Sequence, residues 1–257
     1  MLTALSGIWQ LSPLTDLTLP QGDLTFPAAI STILPMELTE NEIAAQEWHL
    51  MHDFDVSEAM FAYAAIDIVL KGVSHYAEVR INGNAVLDCF DSEVTYQKEI
   101  KAHLHVGFNR IEILFLEQGD DWLLDDERAK YSIANRPMGI FGDLGLRGIR
   151  HLRLKSATAI PIIQHGSGEV KIAIYFDTLV VGMIAAKVKF DGMSYSIPID
   201  VRADRVTALF QVDAPRFWSE ERQDENDIYK IEIELEGQVM LIPYKIVEGQ
   251  TEESFYY

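Results

Sequence analysis

Between Gln118 and Arg147 the chain gathers the residue types from which a site for hydroxylated ligands is built. Trp122 offers a flat apolar face, Asp120, Asp121 and Asp143 offer carboxylates, and Arg136 and Arg147 offer guanidinium forks that grip two oxygens at once. This connection follows a strand expected to end at Leu116 and precedes one expected to begin at Ile149. A linkage of that length inside a compact domain tends to serve a function. A structural role stands beside it: Trp122 anchors its own loop, and Arg136 or Arg147 pairs with a neighbouring acid.

Other chemistries find little support. Cys89 is the single cysteine, so no intrachain disulfide forms, and nothing marks it as an activated nucleophile. His103 and His105 are expected to share one strand face, two legs of a metal site without a third, while His49 and His52 should lie on opposite faces of their strand. The His165-Gly166-Ser167-Gly168 stretch lacks the lysine and helix of a phosphate cradle, and no Gly-x-Ser-x-Gly or His-Glu-x-x-His motif occurs. No metal or cofactor is therefore expected. The balance of 21 basic against 40 acidic residues, −19 net, argues against nucleic acid and against an anionic membrane surface. No apolar run approaches the ~18 residues that span a bilayer. The N-terminus lacks the basic and apolar regions of a secretory signal, so a cytoplasmic location is expected.

The elements that position these residues read as strands almost throughout. Alternation of apolar and polar residues predicts strands over 47–56, 62–71, 76–82, 93–100, 109–117 and 149–155, then over 168–177, 184–190, 193–200, 205–213, 227–236 and 238–247. Asn82-Gly83, Asp191-Gly192 and Glu236-Gly237 punctuate them as hairpin turns. One short helix is expected over 39–46, where Thr39 and Glu42 have the spacing of a capping box. Small residues and a proline at 155–161 suggest a boundary, giving domains 1–157 and 158–257.

The order of motifs resembles the N-terminal domains of glycoside hydrolase family 2, which includes β-mannosidases, β-galactosidases and β-glucuronidases. The residues that carry it are Gly7-Ile8-Trp9, Pro27-Ala28-Ala29-Ile30, Glu47 to Val56, the Asn82-Gly83 hairpin, Gly107-Phe108-Asn109 before an apolar strand, and Gly148-Ile149-Arg150. Trp48 and the acidic helix upstream of it lean toward the β-mannosidase branch. Pro215-Arg216-Phe217-Trp218 and Tyr229 are similar to the close of the family's second domain. The resemblance implies an all-β chain: a galactose-binding-like jelly-roll sandwich followed by an immunoglobulin-like β-sandwich.

Catalysis in that family needs two glutamates on a (β/α)₈ barrel, a fold of at least ~200 residues. The 257 residues leave no room for one after two sandwiches, so no catalytic residue is assigned and the chain alone is expected not to cleave glycosides. Where β-mannosidases carry a Phe-Gly-Trp-Asp-Trp-Gly loop, this sequence has Phe141-Gly142-Asp143-Leu144-Gly145, keeping the aspartate and losing both tryptophans. The expected function is a non-catalytic carbohydrate-binding or accessory role, with Trp122, Asp120, Asp121, Arg136, Asp143 and Arg147 as contacts. Two alternatives remain: a structural or partner-binding sandwich without sugar recognition, and the non-catalytic part of a split or truncated β-mannosidase. The partners left open are a carbohydrate, a second copy of the chain, or a barrel-bearing subunit.

Overall fold

Asn82-Gly83, Asp191-Gly192 and Glu236-Gly237 have φ values of 49° and 80°, 45° and 83°, and 49° and 80°. Positive φ at both residues is the backbone of a type I′ turn. Each pair closes a hairpin: Ile81 faces Asn84, Phe190 faces Met193, and Leu235 faces Gln238. The computed structural model describes residues 2–116, 137–164, 167–200 and 202–257. They fall into two units, Leu2–Gly148 and Ile149–Tyr257.

The first unit is a jelly-roll sandwich. One sheet has six strands in the order β3 (Gly22–Leu24), β2 (Trp9–Pro13), β5 (Trp48–Val56), β10 (Gly107–Phe115), β7 (Ala77–Ile81) and β8 (Asn84–Cys89). The other has four, β1 (Leu2–Ala4), β12 (Leu144–Ile149), β6 (Ala65–Lys71) and β9 (Thr95–Glu99). A short pair, β4 (Ala28–Ala29) with β11 (Gly139–Ile140), completes it. Inward residues of both sheets, among them Trp9, Trp48, Leu50, Ile66, Ile68, Leu70, Ile111 and Phe115, form one core. Burying each such side chain contributes roughly 1.5–3 kcal/mol against the ordering of the chain.

Polar side chains lock the corners of this unit. The expected helix is α1 (Glu40–Ala44), with the Thr39 hydroxyl accepting from Glu42 N and the Glu42 carboxylate accepting from Thr39 N at 2.8 Å. The buried Trp48 donates its indole N–H to Ile43 O at 2.9 Å, fastening that helix to β5. The Gly107-Phe108-Asn109 motif proves to be a bonding centre. Asn109 is fully buried; its Oδ1 accepts from Asn82 Nδ2 and His105 N, and its Nδ2 donates to His105 O and Gly107 O. Asn82 in turn donates to His103 O and accepts from Arg110 N, so the hairpin turn is tied to the loop before β10. His103 and His105 therefore do not share a strand face as expected: 101–103 forms a 3₁₀ turn, and His105 lies in the loop that Asn109 holds. Cys89 is buried, and burial with the nearby Asp88 pushes its thiol up to about 12, which leaves it unreactive.

The second unit is an immunoglobulin-like sandwich. Its sheets run β17 (Arg205–Asp213), β14 (Ser167–Thr178), β13 (Leu152–Gln164), β20 (Glu253–Tyr256), and β16 (Met193–Ile199), β15 (Ile184–Phe190), β18 (Ile228–Leu235), β19 (Gln238–Lys245). Near the start of β18, buried Tyr229 stacks on Phe190 and accepts a hydrogen bond from Arg216 N at 2.7 Å. The two sheets are stitched at one end by β19. Gln238 accepts from Leu154 N and donates to Leu152 O and Leu235 O, while the Glu236 carboxylate accepts from His151 N, Leu152 N and the His151 ring. Burial alone pushes the Glu236 carboxyl up, but the bonds from His151 and Leu152 and the His151 ring outweigh it and hold the group below its usual range.

The expected 157/158 boundary is corrected by this arrangement, because 155–161 is the middle of β13 and the chain divides instead after Gly148. Pro161 fits within that strand for a clear reason. β20 pairs only with residues from Ser156 to Ala159, so at Pro161 that flank of β13 is an edge where no N–H is called for. Among the described residues, no helix is long and apolar enough to cross a membrane.

Candidate functional site

The period of two in β5 puts Trp48, Leu50 and His52 into the core and turns His49, Met51 and Asp53 outward. Register then extends these into rows across the six-stranded sheet. One row runs Asp23, Gln10, Met51, Glu112, Arg80; the next has Ser12, His49, Leu114, Glu78; a third pairs Asp53 with Arg110. Most of the outward face is thus polar, whereas the inward residues are mostly apolar, with His52 stacked on Trp9 at 4.9 Å and Asn109 held by its own hydrogen bonds.

A cavity of about 490 Å³ opens at one end of this face, lined by Gln10, Leu11, Ser12, Gln21, Gly22, Asp23, His49 and Met51. His49 Nε2 lies 2.9 Å from Glu112 Oε1, which fixes the ring and leaves Nδ1 uncommitted among the described residues. Farther along the face, Asp53 receives a bidentate bond from Arg110 at 2.6 and 2.9 Å, which holds its carboxyl below the usual carboxylate range. Arg80 is likewise engaged with Glu78. Phe108 stands on the same face beyond Arg110, its ring 57% exposed. Amide, hydroxyl, imidazole and carboxylate groups beside Met51 match the alternating donors and acceptors of a sugar ring.

A second cavity, of about 520 Å³, lies in the immunoglobulin-like unit and is lined by Lys189, Asp191, Arg216 and Glu232 among others. Four of its charges pair off: Lys189 with Glu232 at 2.6 Å, and Arg216 with Asp191 at 2.9 Å while lying 4.2 Å above the Tyr229 ring. It is the weaker candidate for that reason. No group of three metal-ligating side chains occurs among the described residues.

Of the contacts expected from sequence, Trp122, Asp120, Asp121 and Arg136 lie outside the described residues. Asp143 and Arg147 are described, and the structure does not join them. Asp143 is exposed between β11 and β12, accepting only through its backbone oxygen from Lys71 N; its carboxylate has no partner among the described residues. Arg147 lies half-buried on β12 and donates to Gln97, which itself donates to the buried Asp67. We expect Asp143→Ala to shift stability by no more than about 0.5 kcal/mol, measured by chemical denaturation, since no fold contact is lost. Gln10, Ser12, Asp23 and Met51 did not emerge from sequence. Strand parity around His49 was the available signal, and the nonlocal pairing of β2 with β5 was not.

A family model described as the glycosyl hydrolase 2 galactose-binding domain-like domain matches residues 33–150, most of the first unit. The first domain belongs to this family. Solved structures show the same two-sandwich fold. A β-D-mannosidase from Dictyoglomus thermophilum aligns over 100% of this chain and 36% of its own, with a TM-score of 0.65 and 16% identity. A β-glucuronidase from an uncultured Clostridium sp. covers 96% of this chain and 44% of its own, with a TM-score of 0.62 and 13% identity. A β-galacturonidase from Eisenbergiella tayi bound to galacturonate covers 96% and 43%, at 0.59 and 16%. The chain thus spans between about a third and a half of these proteins' lengths. No curated protein matches it.

Proposed function

We propose that the galactose-binding-like domain is a non-catalytic carbohydrate-binding module whose site is the outward face of the six-stranded sheet, centred on the His49 cavity. The supporting observation is the lining itself: Gln10, Ser12, Gln21, Asp23 and His49 bring five polar side chains to a cavity that Met51 also lines. Among the described residues no Trp, Tyr or Phe lines the cavity, and stacking is the main source of sugar affinity, so binding is weak, with Kd in the millimolar range. Amide chemical shifts followed by NMR during titration with methyl mannoside and methyl galactoside test this. Shifts should concentrate on β2, β3 and β5, and His49→Ala should weaken binding at least fivefold while leaving the spectrum otherwise intact. Flat titrations at tens of millimolar sugar would remove the proposal.

A partner-binding role is the second reading, and one observation favours it. The turn between β14 and β15 exposes Val180, Val181 and Met183, the last two at 76% and 103%. Apolar groups clustered this openly mark interaction surfaces. Concentration-dependent self-association measured by light scattering, abolished by Val181→Ser with Met183→Ser, would support it. A monomer at all concentrations, together with sugar binding, would leave the first reading alone.

A further inference from the structure

The carbohydrate reading of the His49 cavity can be taken one step further, to the charge of its ligand, and this step rests on that reading. Among the described residues, the cavity lining contains a carboxylate, Asp23, and no lysine or arginine. Immediately behind His49 stands Glu112, bonded to it at 2.9 Å. Among the described residues, the guanidiniums on the same face are Arg110 and Arg80. Arg110 is engaged in both directions by Asp53, and Arg80 is held by Glu78. Asp55 adds another acid one register step beyond Asp53, opposite Phe108. A ligand on this face therefore meets carboxylates with open lone pairs and cations that are already occupied.

We propose that the cavity selects sugars by charge, preferring a 2-amino sugar over a neutral hexose and rejecting a uronic acid. A uronate would bring its carboxylate toward Asp23 with no lysine or arginine among the described lining residues to receive it, and specificity of this kind is built from repulsion as much as attraction. An ammonium group beside Asp23 gains that carboxylate as a charge-assisted hydrogen-bond acceptor, while Glu112, three strands away in the same row, adds only its longer-range field. For unit charges several ångströms apart near a protein surface, the effect on Kd is roughly tenfold in each direction. Salt weakens it, because the Debye length is about 8 Å at physiological ionic strength.

The test uses the whole chain in NMR titrations with glucosamine, methyl glucoside and glucuronate at pH 6.5, each at low and at 0.5 M salt. The expected order is glucosamine tightest, methyl glucoside intermediate and glucuronate weakest, with the spread narrowing in high salt. Shifts should map to Gln10, Ser12, Asp23 and His49. Asp23→Asn lies on an exposed edge strand and should fold normally; it should bring the affinities of the three ligands within about threefold of one another. Glucuronate binding as tightly as methyl glucoside overturns the charge selection and leaves the carbohydrate reading standing. Glucosamine binding with no neutral sugar bound shows attraction to acids without sugar recognition, and overturns both. Three flat titrations do the same.

Discussion

Asn109→Ala is expected to lower the stability of the galactose-binding-like domain by about 3 kcal/mol, which for a domain of this size lowers Tm by roughly 6–12 °C. The side chain is fully buried and makes four hydrogen bonds, to Asn82, to both backbone groups of His105 and to Gly107 O. Each is worth about 1 kcal/mol net. His105 is exposed, so water recovers part of what its backbone loses, and the four bonds do not simply sum. Asn109→Leu separates packing from bonding, because it fills the space and restores none of the bonds; it should recover less than half of the loss. Asn109→Asp should be no better than alanine, since it turns a carboxylate oxygen toward the two carbonyls that the amide had served. Urea unfolding followed by fluorescence of the buried Trp9 and Trp48 reports this domain. A loss under 1 kcal/mol for alanine would mean that the loop before β10 is held by something else.

That residue also shows what could be read without a structure. Gly107-Phe108-Asn109 and Asn82-Gly83 were recognisable as motifs, yet neither announces that the two asparagines bond each other across the sheet. The turns were legible because their requirement is local: two successive residues with positive φ leave few choices beyond Asn, Asp, Glu or Gly in such sequences. The long strands were legible because nine or so residues carry several periods of alternation. β1, β3, β4 and β11, of two or three residues each, carry less than two periods and were not expected. The stretch 155–161 was misread for the opposite reason. Its small residues and Pro161 suit a linker as well as they suit a strand with one open flank, and only the span of β20 decides between them.

The candidate site was less legible than the fold. Asp143 and Arg147 drew attention through their motif context, and the structure gives one an open surface position and the other a network through Gln97. The outward face of the six-stranded sheet depends on Gln10 standing opposite Met51 and Asp23 opposite Gln10. Such pairings join segments dozens of residues apart, and slipping any strand by one residue would send the entire row into the core. No local signal sets that register. It follows from which faces of β2, β3 and β5 are apolar enough to be buried together.

The same logic predicts the second large effect. Gln238→Ala should destabilise the immunoglobulin-like domain by about 3–4 kcal/mol, because the side chain is 1% exposed and its three partners lie inside the sandwich. Leu154 N loses its acceptor, and Leu152 O and Leu235 O lose their donor. Leu152, Leu154 and Leu235 belong to the domain's buried core, so water does not readily replace the amide as it does at His105. Each unsatisfied buried group costs roughly 1–3 kcal/mol, which makes this a larger loss than the bonds alone suggest. Gln238→Met keeps the length and apolar volume, so it should cost nearly as much as alanine if unmet hydrogen bonding dominates, and far less if the loss is chiefly a cavity. Gln238 joins the start of β13 to the turn that begins β19, so hydrogen exchange should accelerate first at Leu154, whose N–H loses its acceptor, in both variants. Unchanged protection at that amide alongside a lowered Tm would place the damage elsewhere and refute the stitching role.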